Sequence, residues 1–304
     1  MKSKTFYSHG KLLLSGEYVV LDGALSLAIP TKYGQSLIVE PIEKPILHWK
    51  SFDENKNVWF EQEFKLIENT FLEQVFDCDI SNRLIQILNA VKTLKPTFLN
   101  NKQGYKIETQ LEFAKNWGLG TSSTLINNIA KWANIDAFKV LEKTFGGSGY
   151  DIACAQYNSP LTYKLENKIP ITKTVSFNPP FKEHLYFVHL NKKQNSRDGI
   201  KHYRDNKDNV NYTIEAINNI TKDMLSSKTL EHFQSLMVKH ENLISNITNQ
   251  TPVKTLLFED FNGTIKSLGA WGGDFIMVAV KKNPTRYFND CGYKTIIPYS
   301  NMIL

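Results

Sequence analysis

Between residues 80 and 95 the hydrophobic period of the chain changes, and this change restricts the fold more than any other feature. Leu84, Ile87, Leu88, Val91 and Leu94 fall on one helical face, and Pro96 stops the helix. The first 75 residues read instead as strands. "KLLLSGEYVVLDGALSLAI" has apolar runs broken by glycine, and "SLIVEPI", "PILHWKS" and "VWFEQEF" follow, with "DENKN" as a hairpin turn between the last two. "GYKIETQLEF" returns to a strand. A helix is expected from about 122 to 133, and another opens near Asp136.

The pattern changes again after "FGGSGYDIACAQYNSP", which ends at Pro160. "PITKTVSF" and Pro179-Pro180 suggest a crossover between domains near 165–180, before the strand "LYFVHLN". Two amphipathic helices come next. One carries Ile214, Ile217, Ile220 and Met224; the other carries Leu230, Phe233, Leu236, Leu243 and Ile247. "GTIKSL", "DFIMVAV" and "YKTIIPY" make the end strand-rich. The expectation is an α+β chain in two mixed lobes, 1–175 and 176–304.

Composition bounds the function. An apolar content of 41% and a charged content of 22% are ordinary for a globular protein. The net charge of +6 is spread along the chain, with no basic stripe and interleaved aromatics, so it suits an anionic small molecule better than nucleic acid. Cys78, Cys154 and Cys291 lie far apart without metal-type spacing, which suggests reduced, mostly packed thiols. The start has no long apolar stretch, and no run of about 18 apolar residues occurs. A cytoplasmic location is expected, with no membrane partner and a second copy of the chain as the candidate assembly.

Four segments could carry chemistry. In "NWGLGTSST", Gly118 and Gly120 allow close backbone approach, and the following helix offers unpaired N–H groups to an anion such as phosphate. Ser122 or Ser123 could add a hydroxyl to phosphate or Mg²⁺; the alternative is a glycine turn with a Ser/Thr cap. No Gly-Lys-Ser/Thr ends the loop, so it is not a Walker A motif. "GGSGYD", with Ser148, places Asp151 where it could take a proton from a substrate hydroxyl, or simply cap the next helix. "KSLGAWGGDF" is either a ligand-approaching turn or a bulged hairpin. In "SHGKLLLSGEYVVLDG", Lys11 heads an apolar strand, either solvated or aimed into a cleft.

Taken in order, "GK-LLL-GEY-V-LDG", "GLGTSS", "SGYD" and "GAWGGD" resemble the GHMP kinases, the family of galactokinase, homoserine kinase, mevalonate kinase and phosphomevalonate kinase. The resemblance spans almost the whole chain. It implies an N-terminal lobe like domain 2 of ribosomal protein S5 and a ferredoxin-like C-terminal lobe. It implies ATP and Mg²⁺ as cofactors, with the nucleotide phosphates at Gly118, Leu119, Gly120, Thr121, Ser122 and Ser123. Gly269, Ala270, Gly272 and Gly273 match the third motif. Ser122 matches the metal ligand, Glu142 is the nearest match to a second, Asp151 matches the catalytic aspartate, and Lys11 the lysine paired with it.

The chain departs from the family pattern at several places. Trp271 stands where glycine is usual, and Thr124 replaces an alanine. Lys115, Asn116 and Trp117 stand where a proline is expected, and His9 replaces alanine-proline in the turn before Lys11. "GEYVVLDGA" and Asp274 look more like phosphomevalonate kinase than mevalonate kinase. Phosphomevalonate is thus the expected acceptor and mevalonate the alternative. Below them stand diphosphomevalonate decarboxylase and a non-catalytic, ligand-sensing relative. The basic loop "NKKQNSRDGIKHYR" offers Arg197 to an acceptor phosphate or carboxylate. Ser148 and His9 complete the expected substrate contacts.

Overall fold

The strand β1 (Lys4–Ser15) runs unbroken through the motif that holds Lys11, and pairs with the long strand β2 (Ser26–Ile42). The structure, a computed structural model, describes residues 2–66, 78–100, 103–192, 196–206 and 210–304. It divides into two compact units. One comprises Met1–Gly10, Tyr33–Lys115 and Gly120–Gln156; the other comprises Lys11–Lys32, Asn116–Leu119 and Tyr157–Leu304.

In the first unit, β3 (Ile46–Phe52) and β4 (Val58–Lys65) form the hairpin expected around "DENKN". Next come α1 (Asp79–Leu94), β5 (Gly104–Leu111), α2 (Thr121–Ala133), α3 (Ala137–Thr144) and α4 (Tyr150–Gln156). The strands lie in the order β4-β3-β5-β2, with β3 parallel to β5 and Trp49 opposite Ile107. Alternation buries Leu37, Val39, Leu47, Trp49 and Ile107 on one sheet face, against Leu84, Leu88 and Val91 of α1 and Ile126 and Ile129 of α2. Asp136 caps α3 by accepting the Phe138 N–H at 2.9 Å. Helices α2 and α4 are tied together by the Asn127 amide, which donates to the Ala155 carbonyl at 3.0 Å.

In the second unit, β6 (Leu161–Glu166) pairs with β2, Leu161 opposite Ala28, and with β7 (Ile169–Thr174). Strand β8 (Leu185–His189) leads to helices α5 (Ser196–Asn206), α6 (Val210–Ser226), α7 (Leu230–Thr248) and α8 (Val253–Leu257). After β9 (Thr264–Ser267) and β10 (Phe275–Ala279) come α9 (Thr285–Asp290), β11 (Ile296–Pro298) and α10 (Tyr299–Met302). The order β11-β8-β10-β9 is antiparallel throughout, with Ile276 between Val188 and Ser267. Thr229 caps α7 by accepting the His232 N–H.

Several sequence expectations change. Val19–Asp22 is a short 3-10 helix rather than strand, because the chain turns at Gly16 (φ 91°) and Gly23 (φ 90°). The basic "loop" is largely the helix α5. Arg197 lies in its first turn, but the Arg197 side chain and Lys193 lie outside the described residues, as do 67–75 of the strand-rich start. Leu243 and Ile214 only flank the buried faces of their helices; His240 and Glu241 lie inside that of α7. The three cysteines are free thiols, but only Cys154 is buried, and Cys291 is exposed. Among the described residues, no helix is long and apolar enough to cross a membrane.

Candidate active site

The loop before α2 depends on glycine twice. Gly118 (φ 67°) and Gly120 (φ 96°) take left-handed conformations that other residues adopt only with strain. Gly120 is itself the N-cap of α2, with no side-chain capping bond. The Ser/Thr cap that the sequence left open is therefore not what forms. The Ser123 hydroxyl turns inward and donates to the Gly120 carbonyl at 3.0 Å. Thr124, fully buried, donates to Gln35 Oε1 at 2.7 Å, which explains a hydroxyl in place of alanine. Ser122 remains exposed beside the N–H groups of the first turn, where the helix dipole favours an anion.

Lys11 sits in the middle of β1 rather than at a strand's head. Its Nζ donates to the Gly118 carbonyl at 2.8 Å, and its N–H donates to the Leu119 carbonyl at 3.0 Å. A cation and a strand backbone thus hold the glycine loop at adjacent residues. Upstream, the Asn116 carbonyl accepts from His189 Nε2 at 3.0 Å, and the Trp117 ring meets Phe275 edge-on at 5.5 Å. On its other side Gly118 faces Asp274: a Cβ there would run into the Asp274 carboxyl group.

Asp151 lies in the first turn of α4, where Oδ1 accepts the Ile152 N–H at 3.0 Å. A negative charge in a first helical turn is favourable. The loop before it is shaped by Gly146, Gly147 and Gly149, all at positive φ, with Ser148 half-buried between them. Glu142 is exposed on α3. His9 lies within continuous β1, edge-on to Tyr7 at 5.0 Å, so the expected turn before Lys11 does not form. Among the described residues, no group of three or more His, Cys, Asp or Glu side chains is arranged to hold a metal ion.

The third motif connects β9 and β10. Gly269 (φ 64°) and Gly272 (φ 85°) need glycine for their backbone angles, since nothing crowds either one. Ala270 and Gly273 are buried. Trp271 is not among the left-handed positions, so a bulky residue is tolerated there. The residue is only 3% exposed, and its backbone N–H donates to the Tyr18 hydroxyl at 3.0 Å. Tyr18 itself is strained, at φ 63° and ψ −54°, with the Val19 N–H closing a γ-turn onto the Glu17 carbonyl at 2.8 Å. Its ring stacks on Tyr203 at 5.8 Å, and Tyr203 donates to Asp22 at 2.6 Å. Burial, with the charges of Glu17 and Asp274 nearby, pushes the Tyr18 phenol up to about 12.

Beneath this motif lies a buried charged cluster that the sequence reading missed. Lys266, wholly buried in β9, is ion-paired with Glu17 and donates to the Ser267 carbonyl at 2.8 Å. Burial alone would push the Glu17 carboxyl up, but the Lys266 ammonium offsets it and holds it below its usual value. Burial and Lys266 keep His240 neutral, so its Nε2 accepts the Gly16 N–H at 2.9 Å. That nitrogen also lies 3.1 Å from Glu17 Oε2, but it cannot accept and donate at once. Glu241 accepts the Ser267 N–H at 3.1 Å and its hydroxyl at 2.7 Å, and burial pushes its carboxyl up to about 7. The available signal was a lysine inside the apolar "TIKSL" and a lone acid in "LLLSGEYVV", two charges that burial would force to pair.

No family model matches the chain, and no curated protein sequence matches it. Solved structures do. Methanococcus jannaschii mevalonate kinase superposes with a TM-score of 0.72 at 15% identity, covering 97% of each chain. Streptococcus pneumoniae phosphomevalonate kinase, in complex with phosphomevalonate and AMPPNP, gives 0.70 at 15% identity, over 95% of this chain and 97% of that one. Lactococcus lactis galactokinase, complexed with galactose, gives 0.64 at 14% identity, over 95% and 88%. The fold of this chain is that of the GHMP kinases.

Proposed function

We propose that the chain is an ATP-dependent small-molecule kinase, transferring the γ-phosphoryl group to an acceptor hydroxyl. The observation that carries this reading is Lys11, whose Nζ is anchored 2.8 Å from the carbonyl of Gly118 in a glycine loop that opens α2. Phosphoryl transfer asks a protein mainly for positioning and charge neutralisation, and an ammonium at a backbone anion site supplies both. In the proposed reaction the acceptor oxygen forms a bond to Pγ, the bond from Pγ to the β,γ-bridging oxygen breaks, and Asp151 takes the hydroxyl proton. The lobe description, S5-like then ferredoxin-like with a boundary near 175, belongs to the same reading.

Magnesium fits the donors present, since it takes oxygen ligands. The Ser122 hydroxyl, exposed in the first turn of α2, is such a donor, and Glu142 offers an exposed carboxylate on α3. When bound, the ion would neutralise charge on the transferring phosphates.

Phosphomevalonate is the preferred acceptor and mevalonate the alternative, with Arg197 on α5 as the contact to the acceptor's anionic group and Ser148 and His9 as further contacts. A ligand-sensing role is the second reading, favoured by Trp271, which fills a glycine position of the third motif and is buried. The test is ADP release over a panel of mevalonate, phosphomevalonate, diphosphomevalonate, homoserine and galactose. Release of carbon dioxide from diphosphomevalonate would replace the kinase with a decarboxylase, and no turnover of the panel, with nucleotide still bound, would favour the sensor.

A further inference from the structure

Helix α5 has little to hold it in place. Of residues 199–205, only Gly199 and Tyr203 are buried, while Lys201, Arg204 and Asp205 are exposed. An isolated helix of eleven residues is marginal in water, and this one is strongly polar. With so few buried apolar groups it belongs among the less stable parts of a fold. Its place therefore depends on what Gly199 and Tyr203 touch. The Tyr203 ring stacks on Tyr18 at 5.8 Å, and its hydroxyl donates to Asp22 Oδ2 at 2.6 Å. One turn earlier, Gly199 packs so closely on the Tyr18 hydroxyl that a Cβ would come within 2.7 Å of it. Glycine inside a helix weakens it, so this close approach is what explains the residue.

The Tyr18 hydroxyl is pinned. It accepts the Trp271 N–H at 3.0 Å, and Tyr18 is buried. Tyr18, Asp22, Trp271 and α5 all belong to the second unit. Tyr203 and Gly199 thus seat α5 on a fixed point that the third glycine motif also holds. The first turn of α5 carries Arg197, assigned above to the acceptor's anionic group. A ligand is bound only by the fraction of molecules whose site is assembled, so apparent affinity falls with that fraction.

We propose that Tyr203 is a positioning residue for the acceptor: its bond to Asp22 and its stacking on Tyr18 fix α5, and with it Arg197, relative to the third glycine motif. This rests on the reading of α5 as an acceptor-binding element. Two variants of the full chain are compared with the wild type. Tyr203→Phe keeps the ring and removes the bond. Gly199→Ala favours the helix itself but drives a methyl group into the Tyr18 hydroxyl. Amide hydrogen exchange of residues 196–206, read by mass spectrometry, reports how firmly α5 is seated. Steady-state kinetics, with the panel acceptor that the wild type phosphorylates, report KM for each substrate and kcat.

Both variants should speed exchange across α5 by about tenfold or more, the equivalent of one hydrogen bond to a charged group. The acceptor's KM should rise about threefold or more, with kcat at saturation and the KM for ATP close to wild type. A merely structural role would not separate the two substrates, and helix propensity alone would make Gly199→Ala slow exchange rather than speed it. Unchanged α5 exchange in both variants overturns the proposal, as does faster exchange with an unchanged acceptor KM. A wild-type protein that turns over no acceptor of the panel overturns the kinase reading itself, whatever α5 exchange shows, and the proposal falls with it.

Discussion

The phenol oxygen of Tyr18 accepts the backbone N–H of Trp271 at 3.0 Å, joining a strained γ-turn after β1 to the third glycine motif. A left-handed tyrosine of this kind carries about 1–3 kcal/mol of strain. The stacking on Tyr203 and the bond to Trp271 hold it in place. Gly199 of α5 lies against the same hydroxyl, too close for any Cβ. Trp271 thereby has a structural explanation: its backbone is bonded and its ring is buried, so a glycine position has become part of the packing.

Tyr18→Phe keeps the ring and removes the acceptor. The buried Trp271 N–H then lacks a partner, and the loss should be about 1–3 kcal/mol in urea unfolding. An unchanged midpoint would show that the bond contributes nothing net.

Lys266→Met should be worse. It leaves the Glu17 carboxylate buried without its ion-pair partner, a change of about 3–5 kcal/mol. Adding Glu17→Gln should recover much of that loss. A double variant as unstable as the sum of the two single ones would mean that the pair is not coupled, and a denaturant-based double-mutant cycle measures this directly.

The cluster also predicts a pH dependence. Glu241 has its folded carboxyl raised from 4.5 to about 7, mainly by burial. Between those values the folded state binds the proton and the unfolded state does not. This group's contribution is therefore full below about pH 4.5 and is lost as pH rises towards 7. Relative to Glu241→Gln, the wild type should lose on the order of 3 kcal/mol across that window and stay level above it. Glu17 and His240, both lowered, act in the opposite sense, so only the difference between the two proteins isolates Glu241. A difference that is flat with pH would show that Ser267's hydrogen bonds keep the carboxyl ionised.

Asp151→Asn should abolish turnover, by about a hundredfold or more, while nucleotide binding stays near normal. The amide can still accept the Ile152 N–H, so the fold should hold. Near-normal turnover in the variant would remove Asp151 from the chemistry.

Ser122→Ala should weaken binding of magnesium-AMPPNP and leave the melting temperature unchanged. Ser122 is exposed, and the cap of α2 is Gly120, so its hydroxyl has no structural bond to lose there. A lower melting temperature with unchanged affinity would reverse that assignment.

Where a local pattern repeats, the structure follows the sequence. Apolar spacing from Leu84 to Val91 specifies α1, Asp136 opens α3, and the alternation on either side of residues 53–57 makes the β3–β4 hairpin. The left-handed glycines 118 and 120 were legible too, because only glycine takes those angles freely. The order of the four motifs was enough to point to the GHMP kinase fold.

What long-range contacts decide was not legible. "VVLD" has strand propensity, yet forms a 3-10 turn between two left-handed glycines. "SRDGIKHYRDN" is so polar that it reads as loop, yet it is helical and buries Tyr203, whose ring stacks on Tyr18 far away in sequence. Lys266 looks like a surface charge in a short strand, and only the approach of Glu17 and α7 makes its burial tolerable. Asp274 reads as the last residue of a turn, and only the tertiary structure packs its carboxyl group against Gly118. The sequence by itself determined α1, α2, α3, α6 and α7, the β3–β4 hairpin and the glycine turns, since each depends on side-chain period or backbone freedom over a few residues. Tertiary structure alone decided which charges are buried and what they face, because the electrostatic free energy of a charge depends on neighbours brought together from distant parts of the chain.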